Sequence, residues 1–316
     1  MANLLDIKRR IRSVKNTQQL TKAMKMISAV KLRRSQDQIL ATRPYAVELA
    51  KVTAKLAQGA RAAALDAEPE VLEAGEGASE EAVGVHPLLE VRPENRVLLV
   101  VVSGDRGLAG SFNANVLRLA QKETGRWESV ELLLLGKKGA DFYGRRSIPI
   151  RKAYRDLFTR VTYERAEEIA QDVAAAYSAG HYDAVYVIYN QFKSIVSHEL
   201  TEERLLPIPV AEAEAVAGEE RGGDAQREVG TDYLYEPSPD AILARILPRY
   251  VTFQVYRALL ESQAAEHAAR MTAMDSATNN AGEMIEKLTL NYNRARQAAI
   301  TKELIEVVSG ANALEG

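Results

Sequence analysis

The fold class predicted by this sequence is α/β: a small α/β domain carried on a long antiparallel coiled coil of the N- and C-terminal helices. Three observations predict it. Residues 249–309 contain no proline and one glycine, residues 3–42 contain neither, and the middle alternates apolar runs, glycines and helical stretches. At about 1.5 Å per residue the C-terminal stretch would reach roughly 90 Å and the N-terminal one about 60 Å. Neither can be buried alone in a compact domain. Packing each against the other is the most economical solution.

In the first helix Leu4, Ile7, Ile11 and Val14 step by three, four and three, which is an a/d seam. The step from Val14 to Leu20 breaks that phase, and Leu20, Met24 and Ile27 restart it, so a local change of supercoil is expected there. Pro44 is expected to kink or end the rod, because it cannot donate to the preceding turn. A helical pattern resumes through Val47, Leu49, Val52, Leu56 and Ala57 and stops near Gly59. Residues 1–61 thus form the N-terminal coiled-coil helix. Residues 62–91, rich in alanine, glutamate and glycine with Pro69 and Pro87, read as a poorly packed insertion or linker.

From Arg96 the character changes. "RVLLVVVSGDRGLAGSFNANVLRLAQK" is an apolar run, a glycine turn and an amphipathic helix, and "SVELLLLGKKGADFYGRR" repeats the pattern. "YERAEEIAQDVAAAYSAG" reads as another helix and "YDAVYVIYNQF" as another strand. Continuous apolar strands alternating with helices imply a largely parallel sheet covered on both faces, a Rossmann-like arrangement. That domain is assigned to residues 92–240, with a loop insertion at about 212–230. Residues 241–316 form the C-terminal helix, entered through Pro239 with Ser238 or Asp240 as cap. Its apolar positions are Ile242, Ile246, Phe253, Tyr256 and Leu260, then Ile285, Leu288, Tyr292, Ala295 and Ala299. Pro248 should bend this helix or mark its real start.

Composition narrows the function. No apolar stretch reaches 18 residues, so no spanning helix is expected. The N-terminus shows neither a signal-type apolar core nor a transit peptide. There are no cysteines, which excludes disulfides, thiol catalysis and thiol redox switches. The net charge of −2 conceals an asymmetry: residues 1–61 carry 14 Lys/Arg against 3 Asp/Glu, and residues 62–240 carry 19 against 32. A basic rod calls for an acidic partner. Nucleic acid fits electrostatically, but the rod lacks aromatics for base stacking, its first being Tyr45. An acidic protein surface fits as well.

"SGDRGLAG", Ser103–Gly110, follows a strand and precedes a helix, where phosphates are often held. Its Gly-x-x-Gly-x-x-Gly spacing matches neither the dinucleotide fingerprint nor the Walker loop, and a structural turn is the favoured reading. His86, His181, His198 and His267 show no metal-type spacing. No catalytic motif, cofactor site or metal site emerges.

Two stretches carry a specific resemblance. "NTQQLTKAMKMISAVKLRRSQ" (Asn16–Gln36) and "YNRARQAAITKELIEVVSGANAL" (Tyr292–Leu314) closely resemble the terminal signatures of γ subunits of F-type ATP synthases, a bacterial type here. "SGDRGLAGSFN", "YLYEPSP" and "ARMTAMDSATNNAG" (Ala269–Gly282) are similar to that family's internal motifs, in the right order along almost the whole chain. The resemblance implies a non-catalytic, cofactor-free rotor shaft of a proton-translocating complex. One copy would stand in an α3β3 hexamer, with the α/β domain as a foot on the c ring that binds ε. It implies no nucleic acid, a membrane reached only through the c ring, and a position at the cytoplasmic face of the bacterial plasma membrane. It further implies β-subunit contacts at Lys22, Met24, Lys25, Arg270, Gln297, Thr301, Glu303 and Glu306. The acidic lever segment of β would meet the basic face of Lys22, Lys25, Lys31, Arg33 and Arg34. Val307, Val308, Ala311, Ala313 and Leu314 would be a tip in an apolar sleeve, and Tyr233, Leu234, Tyr235 and Glu236 foot residues near the c ring. A basic coiled-coil scaffold or nucleic-acid-binding protein is the alternative, and a nucleotide-binding enzyme is a weaker one.

Overall fold

A computed structural model describes residues 4–66, 86–195, 197–209 and 239–315, with the backbone alone at 57–66, 239–240 and 311–315. The chain divides into two compact units: Met1–Lys31, Leu108–Gly110 and His267–Gly316 form one, Leu32–Gly107 and Ser111–Glu266 the other. Its elements are α1 (Leu4–Asp66), β1 (Arg96–Val102), α2 (Phe112–Glu123), β2 (Ser129–Leu135), α3 (Lys137–Tyr143), β3 (Ile150–Tyr154), α4 (Tyr163–Ser178), β4 (Ala184–Phe192), β5 (His198–Leu206) and α5 (Pro239–Glu315).

The second unit is built on a mixed five-stranded sheet in the order β3-β2-β1-β4-β5. β1 pairs parallel with β2 and β4, and β2 parallel with β3, while β5 runs antiparallel to β4. The apolar runs mark the buried strands β1, β2 and β4. β5, "HELTEERLL", hides among charges because it is an edge strand with only its last residues in the core. Alternate residues serve opposite faces, as the two-residue period of a strand requires. Val97, Leu99 and Val101 join Leu132, Leu134 and Ile188 against Val116 and Ala120 of α2 and Tyr143 of α3. Leu98, Val100 and Val102 join Leu133, Val187 and Tyr189 on the other face, where Ile169 and Val173 of α4, Leu49 of α1 and Leu247 and Val251 of α5 complete the larger core.

Pro44 does not end the first helix and Pro248 does not start the last, for one reason. α1 runs unbroken through Pro44, and through Gly59, to Asp66; α5 begins at Pro239 and runs through Pro248. An interior proline costs about 3 kcal/mol. Here the carbonyls that lose their partner belong to Leu40 and Ala244, which are exposed and can turn to water. Downstream burial of Leu49, Ala50, Ala54 and Leu56, and of Tyr250, Val251 and Phe253, holds each helix together. Burying a large aliphatic or aromatic side chain is worth about 1.5–3 kcal/mol, so a few such residues outweigh the break.

The end of the supposed linker is also corrected. Pro87–Leu89 form a turn of 3-10 helix whose Leu88 and Leu89 are fully buried in the larger core. Its His86 Nδ1 accepts the Leu88 N–H at 3.3 Å, and Ile208 N–H donates to the Leu88 carbonyl at 3.0 Å. Two apolar residues inside a polar stretch were too weak a signal to show this.

The "SGDRGLAG" turn is structural at its base. The Gly139 N–H donates to Ser103 Oγ at 2.8 Å, the Lys138 N–H to the Gly104 carbonyl at 3.0 Å, and the Lys137 N–H to Asp105 Oδ1 at 2.8 Å. Asp105 also accepts from the Asp156 and Phe158 amides. These bonds tie the turn to the first residues of α3. Gly136 is the tight point: its φ is +105°, and a Cβ there would lie 1.9 Å from the Ser103 carbonyl oxygen.

Candidate interaction surface on the terminal helices

In the terminal-helix unit, α1 and α5 run antiparallel. Lys25 pairs with Asp275 at 2.6 Å, Thr21 with Thr278, and Gln18 Nε2 donates to the Thr278 carbonyl at 3.4 Å, so each step forward on α1 is a step back on α5. Leu4, Ile7, Ile11 and Val14 are half-buried on α1, as are Ile285, Leu288, Tyr292, Ala295 and Ala299 on α5. These are the positions that the a/d spacing predicts.

Beyond Val14 the expected change of phase does not occur. The three-four step continues through Gln18, Thr21, Lys25 and Ser28, and Thr21 and Ser28 are buried. Leu20 and Ile27, expected in the seam, point away from it and are 65% and 57% exposed. Hydrogen bonding replaces apolar burial in this layer. Thr278 Oγ1 donates to Thr21 Oγ1 at 2.8 Å, and Thr21 Oγ1 donates in turn to the Gln18 carbonyl at 3.0 Å. A buried hydroxyl is costly unless bonded, and Thr21 has both the Gln18 carbonyl and Thr278 within reach, while Thr278 Oγ1 also lies 2.7 Å from the Met274 carbonyl. Counting strictly by three and four from Val14 would have found it; following hydrophobicity did not.

The consequence is an unusual surface. Of the seventeen large hydrophobic residues that are exposed among the described residues, thirteen belong to the terminal-helix unit, Leu20, Met26, Ile27 and Val30 on α1 and Leu304, Ile305, Val307 and Val308 on α5 among them. Exposed apolar area of this extent marks a surface that meets something. Charge accompanies it: Lys22 is exposed beside half-buried Met24 and Lys25, and Lys31, Arg33 and Arg34 are exposed further along α1. Continuing the antiparallel register puts Leu4 opposite about Arg294, so the last turns of α5 extend past the start of α1. Every described side chain from Thr301 to Gly310 is exposed.

Gln297, Thr301, Glu303 and Glu306 lie on that exposed stretch, with Glu306 3.5 Å from Lys302. Arg270 is placed differently: it is buried, with Nη1 3.5 Å from Nδ1 of the buried His267. The structure therefore brings Gln297, Thr301, Glu303 and Glu306 together on one element, Lys22, Met24 and Lys25 on another, and leaves Arg270 inside. Ala311, Ala313 and Leu314 are described by backbone only. Tyr233, Leu234, Tyr235 and Glu236 lie outside the described residues. Among the described residues no helix is long and apolar enough to cross a membrane, and no cluster of His, Asp or Glu has the arrangement of a metal site.

Comparison with known proteins matches the same whole-chain organisation. The family model for ATP synthase, ATP-synt, matches residues 3–314. The ATP synthase gamma chain of Anaeromyxobacter sp. (strain K) is 48% identical over 319 residues, covering all of both chains, and that of Geobacter sp. (strain M21) is 46% identical over 320, again covering all of both. Among solved structures, a chain of the central stalk and c ring of the Tetrahymena thermophila mitochondrial ATP synthase is 25% identical. It aligns with a TM-score of 0.58 over 82% of this chain and 99% of its own. A chain of the Euglena gracilis mitochondrial enzyme's OSCP/F1/c-ring assembly, at 18% identity and a TM-score of 0.61, covers 98% of this chain and 94% of its own and shares its fold.

Proposed function

Because this chain belongs to the ATP synthase gamma-chain family and is a central-stalk subunit of that enzyme complex, we propose that its two terminal helices form the shaft that drives the catalytic β subunits. The observation that carries this reading is the concentration of exposed apolar and basic residues on the helix pair, a surface with no use in an isolated protein. One copy would stand in an α3β3 hexamer. Leu304, Ile305, Val307 and Val308 would turn in an apolar sleeve, where contacts without direction resist rotation least. The basic face of Lys22, Met24 and Lys25 would meet an acidic lever of β. Gln297, Thr301, Glu303 and Glu306 would make the polar contacts beyond it, and Arg270, being buried, would act by stiffening α5 from within.

Mechanically, the shaft can change nucleotide affinity only by contacting one β conformation better than another. An asymmetric surface does this and a symmetric rod does not. The helix pair is asymmetric by construction: a hydrogen-bonded layer at Thr21 and Thr278 crosses it, and α5 continues alone past α1. The subunit itself would be non-catalytic and hold no cofactor. The second unit would be the foot, resting on a c ring at the cytoplasmic face of a bacterial membrane and holding ε, with Tyr233, Leu234, Tyr235 and Glu236 near the ring. The test is ATPase reconstitution from separately purified α and β subunits with and without this chain. Strong stimulation saturating at one copy per hexamer is expected; matched subunits that neither assemble with it nor respond would refute the shaft. Lys22→Glu with Lys25→Glu should weaken the stimulation and leave the fold intact.

A further inference from the structure

Torque sets α5 a task that apolar packing alone performs poorly. Where α5 lies on the sheet of the second unit, most of its buried contacts are apolar, through Leu243, Leu247, Val251, Val255 and Leu259. Such contacts have no direction and resist rotation about the helix axis least. Directed contacts gather instead on the last turns of α5 within that unit. Gln263 and Glu266 stand three residues apart, on one face of the helix, and both are buried, at 8% and 3% exposure. Glu266 lies against the "SGDRGLAG" turn: a Cβ on Gly104 would meet its carboxylate carbon at 2.9 Å and both oxygens at 3.1 Å. Gln263 reaches the same turn through one intermediary. Its Nε2 donates to the Phe158 carbonyl at 3.3 Å, and the Phe158 N–H donates to Asp105 Oδ2 at 2.9 Å. Its Oε1 accepts from Ser35 Oγ of α1 at 3.1 Å, so α1 joins the network.

The turn is fixed to the middle of the sheet, because it leaves the end of the central strand β1. The Gly104 N–H donates to Asn113 Oδ1 of α2 at 2.8 Å, and the Gly104 carbonyl and Asp105 hold the Lys138 and Lys137 amides of α3. In open α/β sheets the carboxyl ends of the strands are where ligands sit. Here side chains of the protein's own last helix reach that end. We propose that Gln263 and Glu266 are positioning residues that key α5, and α1 through Ser35, to the sheet, so that the sheet turns α5 with it instead of slipping past; this rests on the shaft reading. A carboxylate seated off the helix axis against a rigid turn cannot rotate without breaking bonds or striking backbone. Apolar side chains can exchange neighbours as they turn.

Gln263→Met combined with Glu266→Met keeps side-chain length and removes the directed contacts. The full-length double variant is assembled first with α and β subunits, where no c ring loads the second unit, and then into the complete complex in vesicles. ATPase stimulation of the hexamer should match that of the wild type. In the complete complex ATP should still be hydrolysed. Proton pumping, read by quenching of a pH-sensitive dye, should be lost against a gradient that the wild type still pumps into. Glu266→Gln alone, which keeps an acceptor oxygen, should pump as the wild type does. Ser35→Ala removes a single bond and serves if the double variant does not fold; it should lower the protons pumped per ATP. Wild-type pumping by the folded double variant, or by Ser35→Ala in its place, would overturn the key, as would loss of hexamer stimulation together with pumping. A wild-type chain that fails to stimulate the hexamer would instead refute the shaft itself.

Discussion

Replacing Glu261 by glutamine should stabilise the protein at alkaline pH and do almost nothing in acid. The carboxyl is raised from 4.5 to about 7, first by burial and then by Glu203. Because the folded value lies above the unfolded one, the folded chain holds the extra proton between about 4.5 and 7. The stability linked to this group is complete below 4.5, declines as pH rises through that window, and is gone above 7. At about 1.4 kcal/mol per pH unit, the window corresponds to an upper bound of roughly 3.5 kcal/mol. Water reaching the half-buried side chain reduces it, so a gain of about 1–3 kcal/mol is expected for Glu261→Gln at pH 8. Urea unfolding of the full-length chain at pH 4.5, 6 and 8 measures it. The wild-type midpoint should fall relative to the variant as pH rises, with the two converging at the acid end. Parallel curves, or a variant less stable at pH 8, would show that Glu261 is well paired when ionised and would refute the reasoning.

Other expectations follow from single contacts. Gly136→Ala would place a Cβ 1.9 Å from the Ser103 carbonyl oxygen in a backbone with φ +105°. It should cost about 3 kcal/mol or more, enough to lower the yield of folded protein, as circular dichroism on melting would show. Leu247→Ala, fully buried where α5 meets the larger core, should cost about 2–5 kcal/mol by the same unfolding measurement. Lys25→Ala, Asp275→Ala and the double variant should give a coupling below about 1 kcal/mol, since both side chains are more than a third exposed. Thr278→Val should cost more than either, about 1–3 kcal/mol, because it leaves Thr21 buried with one bond fewer.

How much was legible in advance differed by element. Both long helices could be read from the absence of proline and glycine and from the spacing of Leu4, Ile7, Ile11 and Val14, because helical period is a local property. The three core strands were equally plain, since strands buried on both faces must be apolar throughout. The charged edge strand β5 and the buried turn at Leu88 and Leu89 were not, because their burial depends on what packs beside them. That Pro44 ends no helix and Pro248 starts none was hidden for the same reason: the local cost was read correctly, but the core that outweighs it comes from residues distant in sequence.

The candidate surface divides in the same way. The sequence alone determined its chemistry, the basic helix with Lys22 and Lys25 and the family signatures at both ends, since charge and motif need no neighbours. Tertiary structure alone decided which residues face outward. Leu20 and Ile27 looked like seam and became surface once Gln18, Thr21 and Lys25 found partners on α5. It also decided that Arg270 lies inside and that Arg43, Lys193, Glu203 and Glu261, scattered over more than two hundred residues, line one cavity. Partners across such distances exist only after the chain has folded, and only then do they set what each side chain can reach.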